Sequence, residues 1–374
     1  SGPISCALYS IMGIALYRTG HPGAYPLLLA TVLLLIAIAL TLLLLRRWRR
    51  LPPPPVLPSL SIPTTLLYFS ATALVLGGLF LSALGDPSNI NQIGDNAYHL
   101  TRINDIAEEG NYSAIDASFY VGIVPESQVL DPSTGFYPEG FHVVAALTQT
   151  IASSNVSIAE NATIFVFSSI IYSLGFSAFM QLSFGPRSRA ARLGAFLTCA
   201  CVMFPFRLLV VNGFYPFVAG LSCAPSLMSL LLLCFGGSSS RPAPQLLLPL
   251  LLSLAGTAFI HPSACLAVGA MAIPYVIFVF VPKAAEPWSK KASHPKRCVL
   301  LAQVAAAALL AIAWVAVYKL PALDNVTGFT WNWHVNFIQA IYLVLSLGLR
   351  FELPSWPLAL LVLVGLIRSL SSKK

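Results

Sequence analysis

The sequence is poor in charge and has few of the motifs that mark soluble enzymes. Only 9% of its 374 residues are charged and 57% are hydrophobic, whereas soluble domains carry about 25% charged residues. It contains no Walker loop, no HExxH, GxSxG or dinucleotide fingerprint, and no Cys-x-x-Cys pair. The scarcity of charge excludes an ordinary soluble domain. The missing motifs give no indication of nucleotide chemistry of the cytosolic kind.

Long apolar runs take the place of charge. Tyr25–Leu45, Ile62–Leu84 and Leu246–Phe280 reach or exceed the roughly 20 residues that a helix needs to cross a bilayer. Short alternating strands of the porin kind are not seen, and lipid leaves open backbone no hydrogen-bond partners. The sequence therefore predicts an all-α, polytopic transmembrane bundle of about ten spans in the cell membrane.

The charges that remain are sorted by sign along the chain. The positive-inside tendency places the run from Arg46 to Arg50 in the cytoplasm. With the spans alternating from there, Glu286 is the one acid inside, and most Lys and Arg lie inside too. The exceptions outside are Arg18, Arg102, Arg207, Lys319 and Arg350. Orientation explains the net charge of +8 better than nucleic-acid binding does, so no nucleic-acid partner is predicted.

The same alternation divides the chain into five parts. Predicted are N-terminal spans over 1–84, a large external loop over 85–157, central spans over 158–318, a second external loop over 319–353, and a last span with a cytoplasmic tail over 354–374. Ile4–Tyr17 counts as the first crossing, and Leu246–Phe280 counts as two, with His261 and Pro262 at an outer turn between them. Asn96–Gly110 reads as a helix in the first loop. Phe141–Ala152 is too short to cross and is predicted to lie on the outer membrane surface.

The first loop opens with the sharpest local pattern, Gly94 to Ile103. On a helix Asp95, His99 and Arg102 share one face, being four and then three residues apart. That face offers a carboxylate, an imidazole and a guanidinium, which together can take a proton and hold an anion. The alternatives are a solvated face with a local ion pair, or Asp95 acting only as the N-cap.

A second pattern, Phe136 to His142, comes before the short apolar helix. Glu139 lies between Pro and Gly in a predicted fixed turn, with Tyr137 and His142 on either side. A carboxylate and an imidazole at this spacing form a second candidate for proton transfer. The alternative is a turn whose aromatic residues anchor at the membrane interface.

Further candidates are scattered over the apolar part of the chain and the second loop. An isolated Arg or His within apolar segments indicates a functional site, with snorkelling or a hydrogen-bonded core histidine as alternatives. Aromatic planes stack on sugars and cations hold phosphates, although interfacial Trp anchors are common. The residues concerned are Arg207, His261, Lys319, Trp331, Trp333, His334 and Arg350.

The multi-span layout, with a carboxylate early in the first external loop, resembles the GT-C class of membrane glycosyltransferases. The motifs Gly94–Ile103 and Tyr137–His142 look like those of actinobacterial members of that class. The resemblance implies transfer of a sugar from a polyprenyl-phosphate donor to a glycan, lipid or protein acceptor outside the membrane. Asp95 would be the general base or a metal ligand, and Arg207, Lys319 or Arg350 would hold the phosphate. Asn96 stands where such enzymes usually have a second acid, so the resemblance does not decide whether a divalent metal ion is bound.

The resulting hypothesis is a glycosyltransferase in which Asp95 takes the acceptor proton, with His99 and Glu139 as further catalytic residues. The remaining candidates would bind substrate: Arg102, Tyr137, His142, Arg207, His261, Lys319, Trp331, Trp333, His334 and Arg350. One alternative is a transporter or lipid flippase without bond-making chemistry, which predicts internal repeats and polar residues at the middle of several spans. Another is a non-catalytic subunit of envelope assembly.

Overall fold

The computed structural model describes residues 2–48, 58–91, 96–116, 138–200, 203–211, 213–235, 244–291, 294–320, 336–345 and 356–371. Within these ranges the regular structure is entirely helical. The helices are α1 Gly2–Arg18, α2 Ala24–Arg47, α3 Ile62–Leu84, α4 Asn96–Glu109, α5 Gly140–Ala152, α6 Val156–Phe184, α7 Arg189–Val210 (201–202 not described), α8 Tyr215–Phe235, α9 Leu247–Ile260, α10 Pro262–Ser289, α11 Pro295–Tyr318, α12 Phe337–Leu345 and α13 Trp356–Ser371.

Among the described residues, seven helices are long and apolar enough to cross a membrane: α2, α3, α6, α7, α8, α10 and α11. Leu33 and Leu43 of α2 and Leu309 and Ile312 of α11 are more than half exposed, which suits helices whose solvent is lipid. The protein is therefore all-helical and multi-pass.

Two of the predicted crossings are shorter than the roughly 20 residues that a spanning helix needs. The helix that contains Ile4–Tyr17, α1, has 17 residues, and α9 has only 14. The predicted break in Leu246–Phe280 is confirmed, because α9 ends before His261 and α10 begins at Pro262, whose ring and missing N–H suit a first helical position. At 1.5 Å per residue α9 is about 21 Å long, less than the hydrocarbon core.

The helix α5 does not lie on a surface. The prediction of an interfacial helix over Phe141–Ala152 was wrong in this respect, because α5 packs against α1, α4, α6 and α9. Phe141, Val143, Ala145 and Ala146 are all fully buried in the main apolar core.

Glycines let α1 approach its neighbours closely. A Cβ atom on Gly256 of α9 would collide with the carbonyl oxygen of Pro3 on α1, and one on Gly13 of α1 would collide with the carbonyl oxygen of Tyr112. Since backbone cannot move aside as a side-chain end can, these contacts require glycine. The first contact holds α9 against α1, and the second holds α1 against the segment that follows α4.

We expect Gly256→Ala to destabilise the protein, because the new methyl group forces α1 away from α9. Overpacking of this kind costs about 1–3 kcal/mol. Gly78→Ala is the matched control, since a Cβ there meets nothing within 4 Å. Thermal unfolding of the purified variants in detergent compares the two, and equal melting temperatures would contradict the close packing.

Candidate functional site

Four predicted site residues meet in one buried cluster between α4 and α5. Arg102 Nε donates to Glu139 Oε1 at 3.1 Å, and His142 Nδ1 lies 2.7 Å from Glu139 Oε2. The nitrogen atoms His99 Nδ1 and His142 Nε2 are 3.0 Å apart. We call His99, Arg102, Asp105, Glu139 and His142 the charge cluster; each has no more than 3% of its surface exposed.

Helix geometry sets these side chains in place. His99 and Arg102 lie three residues apart on α4, on the face that it turns to the core. Glu139 immediately precedes α5, where the positive end of the helix dipole favours a carboxylate, and His142 follows one turn later. The prediction that His99 and Arg102 share a face is therefore confirmed, and the alternative of a solvated face was wrong.

The contacts assign the protonation of the two histidines. A nitrogen that faces a carboxylate oxygen carries the proton, so His142 has its proton on Nδ1 and its Nε2 accepts. His99 Nδ1 then donates to His142, which leaves His99 Nε2 as the basic nitrogen. The arrangement is a relay from Glu139 through His142 to His99, in which each group orients the next.

Electrostatics keep Glu139 ionised. Burial alone would raise the pKa of Glu139, but His142 and Arg102 outweigh that effect and hold the pKa below the usual range of glutamate. Burial lowers the pKa of His142 more than its contact with Glu139 raises it, and His99 and Arg102 act in the same direction as burial. The cluster thus pairs a carboxylate with a guanidinium, beside an imidazole whose pKa lies below the usual range of histidine.

Asp105 is the fifth member of the cluster, with its Oδ2 atom 3.7 Å from Arg102 Nη1. Burial raises the pKa of Asp105 to about 6, against the opposing effect of Arg102, and Glu109, Glu108 and Glu139 raise it further. Asp105 was missed by the sequence analysis. The signal was its position three residues after Arg102, on the same helical face.

The other predicted residues belong to other elements of the fold or lie outside the described ranges. Arg207 is buried in α7, and His261 packs edge-on against Phe217 with ring centroids 5.2 Å apart. Lys319 is exposed at the end of α11. The residues outside the described ranges are Asp95, Tyr137, Trp331, Trp333, His334 and Arg350.

Two further features border the cluster. Asn96 Nδ2 donates to Glu160 Oε2 of α6 at 3.2 Å, and Tyr215 Oη donates to Asn161 Oδ1 at 3.4 Å. Sequence reasoning missed Glu160 because this acid lies just before the long apolar run of α6, whereas the helix already begins at Val156. An acid at the edge of an apolar run was the available signal.

Within the described ranges, no group of three or more His, Cys, Asp or Glu side chains is arranged to hold a metal ion. Asp95 lies outside those ranges, so its predicted role as a metal ligand stays a prediction.

A family profile described as a family of unknown function, DUF6541, matches residues 1–374. The chain belongs to the DUF6541 family. No curated protein and no solved structure matches it. The DUF6541 description names no activity, so the cluster geometry carries the functional argument.

We expect stability to respond to pH through Asp105. Its carboxyl has a pKa of about 6 when folded and about 3.9 when unfolded. The folded state therefore binds more protons between these values, and the stability due to protonated Asp105 is lost as pH rises through about 6.

Asp105→Asn cannot ionise and escapes this loss. The melting temperature of the variant minus that of the wild type should rise from pH 4 to about pH 7 and then level off. Thr101→Ser, an exposed change on the same helix that involves no titratable group, serves as the control with a pH-independent difference. A pH-independent difference for Asp105→Asn would contradict the raised pKa.

Proposed function

We propose that this protein is a membrane glycosyltransferase of the GT-C type. It would transfer a sugar from a polyprenyl-phosphate donor to an acceptor on the extracytoplasmic face of the cell membrane. One observation carries the proposal. His99 and Arg102 from the first motif meet Glu139 and His142 from the second, through an ion pair of 3.1 Å and a histidine pair at 3.0 Å.

The relay suits the proton transfer that glycosyl transfer requires. The acceptor hydroxyl loses its proton to a base while its oxygen bonds to the anomeric carbon, and the bond from that carbon to the phosphate oxygen breaks with its electron pair. Asp95, four residues before His99 in the sequence, is the proposed base. Glu139 and His142 fix the His99 tautomer, so that its basic nitrogen can share the proton.

The donor phosphate needs a cation and its tail needs an apolar surface. Arg207, buried in α7, lies in the sequence between Phe204 and Leu208, and both of these residues line an apolar groove of about 450 Å³. Tyr172 and Met228 are also part of its lining. We assign Arg207 to the leaving phosphate and the groove to the first isoprene units. Lys319, exposed at the end of α11, is less suited to this role than a buried guanidinium.

The topology is proposed to have ten spans. The ten spans would be the seven long helices together with three shorter ones, α1, α9 and α13, which have 17, 14 and 16 residues. These three would cross where the bilayer is locally thinner.

A second candidate function is proton-coupled transport. A buried chain of acid and histidine side chains, such as Glu139, His142 and His99, is also typical of proton relays in transporters. Such a transporter would make no covalent bond, so a transfer assay separates the two functions.

The test uses the full chain in proteoliposomes with radiolabelled polyprenyl-phosphate sugars and a membrane extract as acceptor. We expect the wild type to release polyprenyl phosphate and to label the acceptor. Asp95→Asn should lower the rate by about 10²–10⁴-fold, because it removes the general base. The control Glu108→Gln removes an exposed carboxylate from α4 and should leave the rate unchanged.

Full activity in Asp95→Asn would remove the proposed base. If the wild type transfers no sugar from any of these donors but moves protons or lipid across the vesicle membrane, the transporter reading replaces the proposal.

A further inference from the structure

Glu160 is a buried acid that the proposed reaction does not use. It lies in the first turns of α6, a candidate membrane span, and only 1% of its surface is exposed. Ionisable side chains within membrane helices are costly, and those that occur usually serve a function. Its surroundings show which function this acid fits.

The contacts of Glu160 are those of a neutral acid. Glu160 Oε2 accepts from Asn96 Nδ2 at 3.2 Å, and no described Lys, Arg or His forms an ion pair with it. Among the described residues, neither Glu160 Oε1 nor Asn96 Oδ1 has a hydrogen-bond partner, and both are buried. An ionised carboxylate would be uncompensated here, because one neutral amide cannot offset a buried charge.

The helices that pack on this part of α6 are α4, α5 and α8. From α4 the contact is Asn96, and α8 brings the phenol of Tyr215, which donates to Asn161, the residue that follows Glu160. The guanidinium of Arg102 is held instead by Glu139 and Asp105. The described neighbours of Glu160 thus bring an amide and a neutral phenol, and no positive charge.

We propose that Glu160 is a proton-binding site, whose carboxyl group carries a proton at neutral pH. The O–H group supplies a donor where the described residues otherwise offer two unpaired acceptors. A small metal ion fits this place less well, because hard cations take about six oxygen ligands and the described residues offer only two unpaired oxygen atoms here.

The site connects to a cavity and to α4. Asn96 Nδ2 also donates to the backbone oxygen of Asn91 at 3.1 Å, and both Asn91 and Tyr215 line a cavity of about 400 Å³. Water in a cavity of this size can exchange the proton. Asn96 begins α4, one turn before His99, so the proton on Glu160 helps to hold the helix that carries three of the five residues of the charge cluster.

The test is infrared spectroscopy of the full chain in lipid bilayers, with isotope-labelled glutamate. We expect a band from a protonated carboxylic acid, shifted by the label and by D₂O, in the wild type at about pH 8, where the carboxyl of Asp105 is ionised. Glu160→Gln, a neutral isostere, should fold and lose this band. Glu139→Gln removes an ionised carboxylate and should retain it.

Each other outcome overturns the proposal. Absence of the band in the labelled wild type would show that Glu160 is ionised, and its persistence in Glu160→Gln would assign it to another glutamate. Loss of the band on adding sodium at constant pH would mean that the site takes a metal ion. None of these infrared measurements depends on sugar transfer. Failure of the proposed function can therefore be distinguished from failure of the proton-binding proposal.

Discussion

The ion pair between Arg102 and Glu139 is the interaction on which the rest of the site depends. Its atoms lie 3.1 Å apart and its side chains are 3% and 2% exposed. Removing one partner of such a pair leaves an uncompensated buried charge, at a cost of about 3–5 kcal/mol. The pair therefore fixes the start of α5 against the middle of α4, and that contact brings His142 to His99.

A lipid environment explains why this protein buries charged side chains and exposes many of its apolar ones. The charge cluster, Glu160 and Asn161 are buried among α4, α5, α6 and α8, whereas α2 and α11 expose leucine and isoleucine. A lipid solvent accepts apolar side chains freely, so close packing and polar contacts must hold the helices together. Glycine at positions 13 and 256 supplies the close packing, and the charge cluster supplies the polar contacts.

The sequence predicted the parts of the fold that depend on local pattern. Run length located most spans, Gly110 and Pro262 marked helix ends, and the three-residue spacing placed His99 and Arg102 on one face. It did not predict the burial of α5, because an apolar helix of 13 residues reads equally well as a surface helix.

Long-range contacts were beyond the reach of the sequence. Nothing in the spacing indicated that Arg102 would pair with Glu139, 37 residues later, although both residues had been singled out separately. Asp105 and Glu160 were missed for a related reason, since a carboxylate in a hydrophilic segment gains significance only when its burial is known. Both motifs contributed to the site, and the fold alone determined how they meet.

The most direct measurement is a double-mutant cycle on thermal or chemical unfolding in detergent, with Arg102→Gln, Glu139→Gln and the double variant. The account predicts that the double variant loses less unfolding free energy than the two single variants lose together, by about 0.5–3 kcal/mol. The exposed pair of Arg18 and Asp116 provides the comparison and should show much weaker coupling. Strictly additive effects of the two substitutions would contradict the claim that this buried pair organises the site.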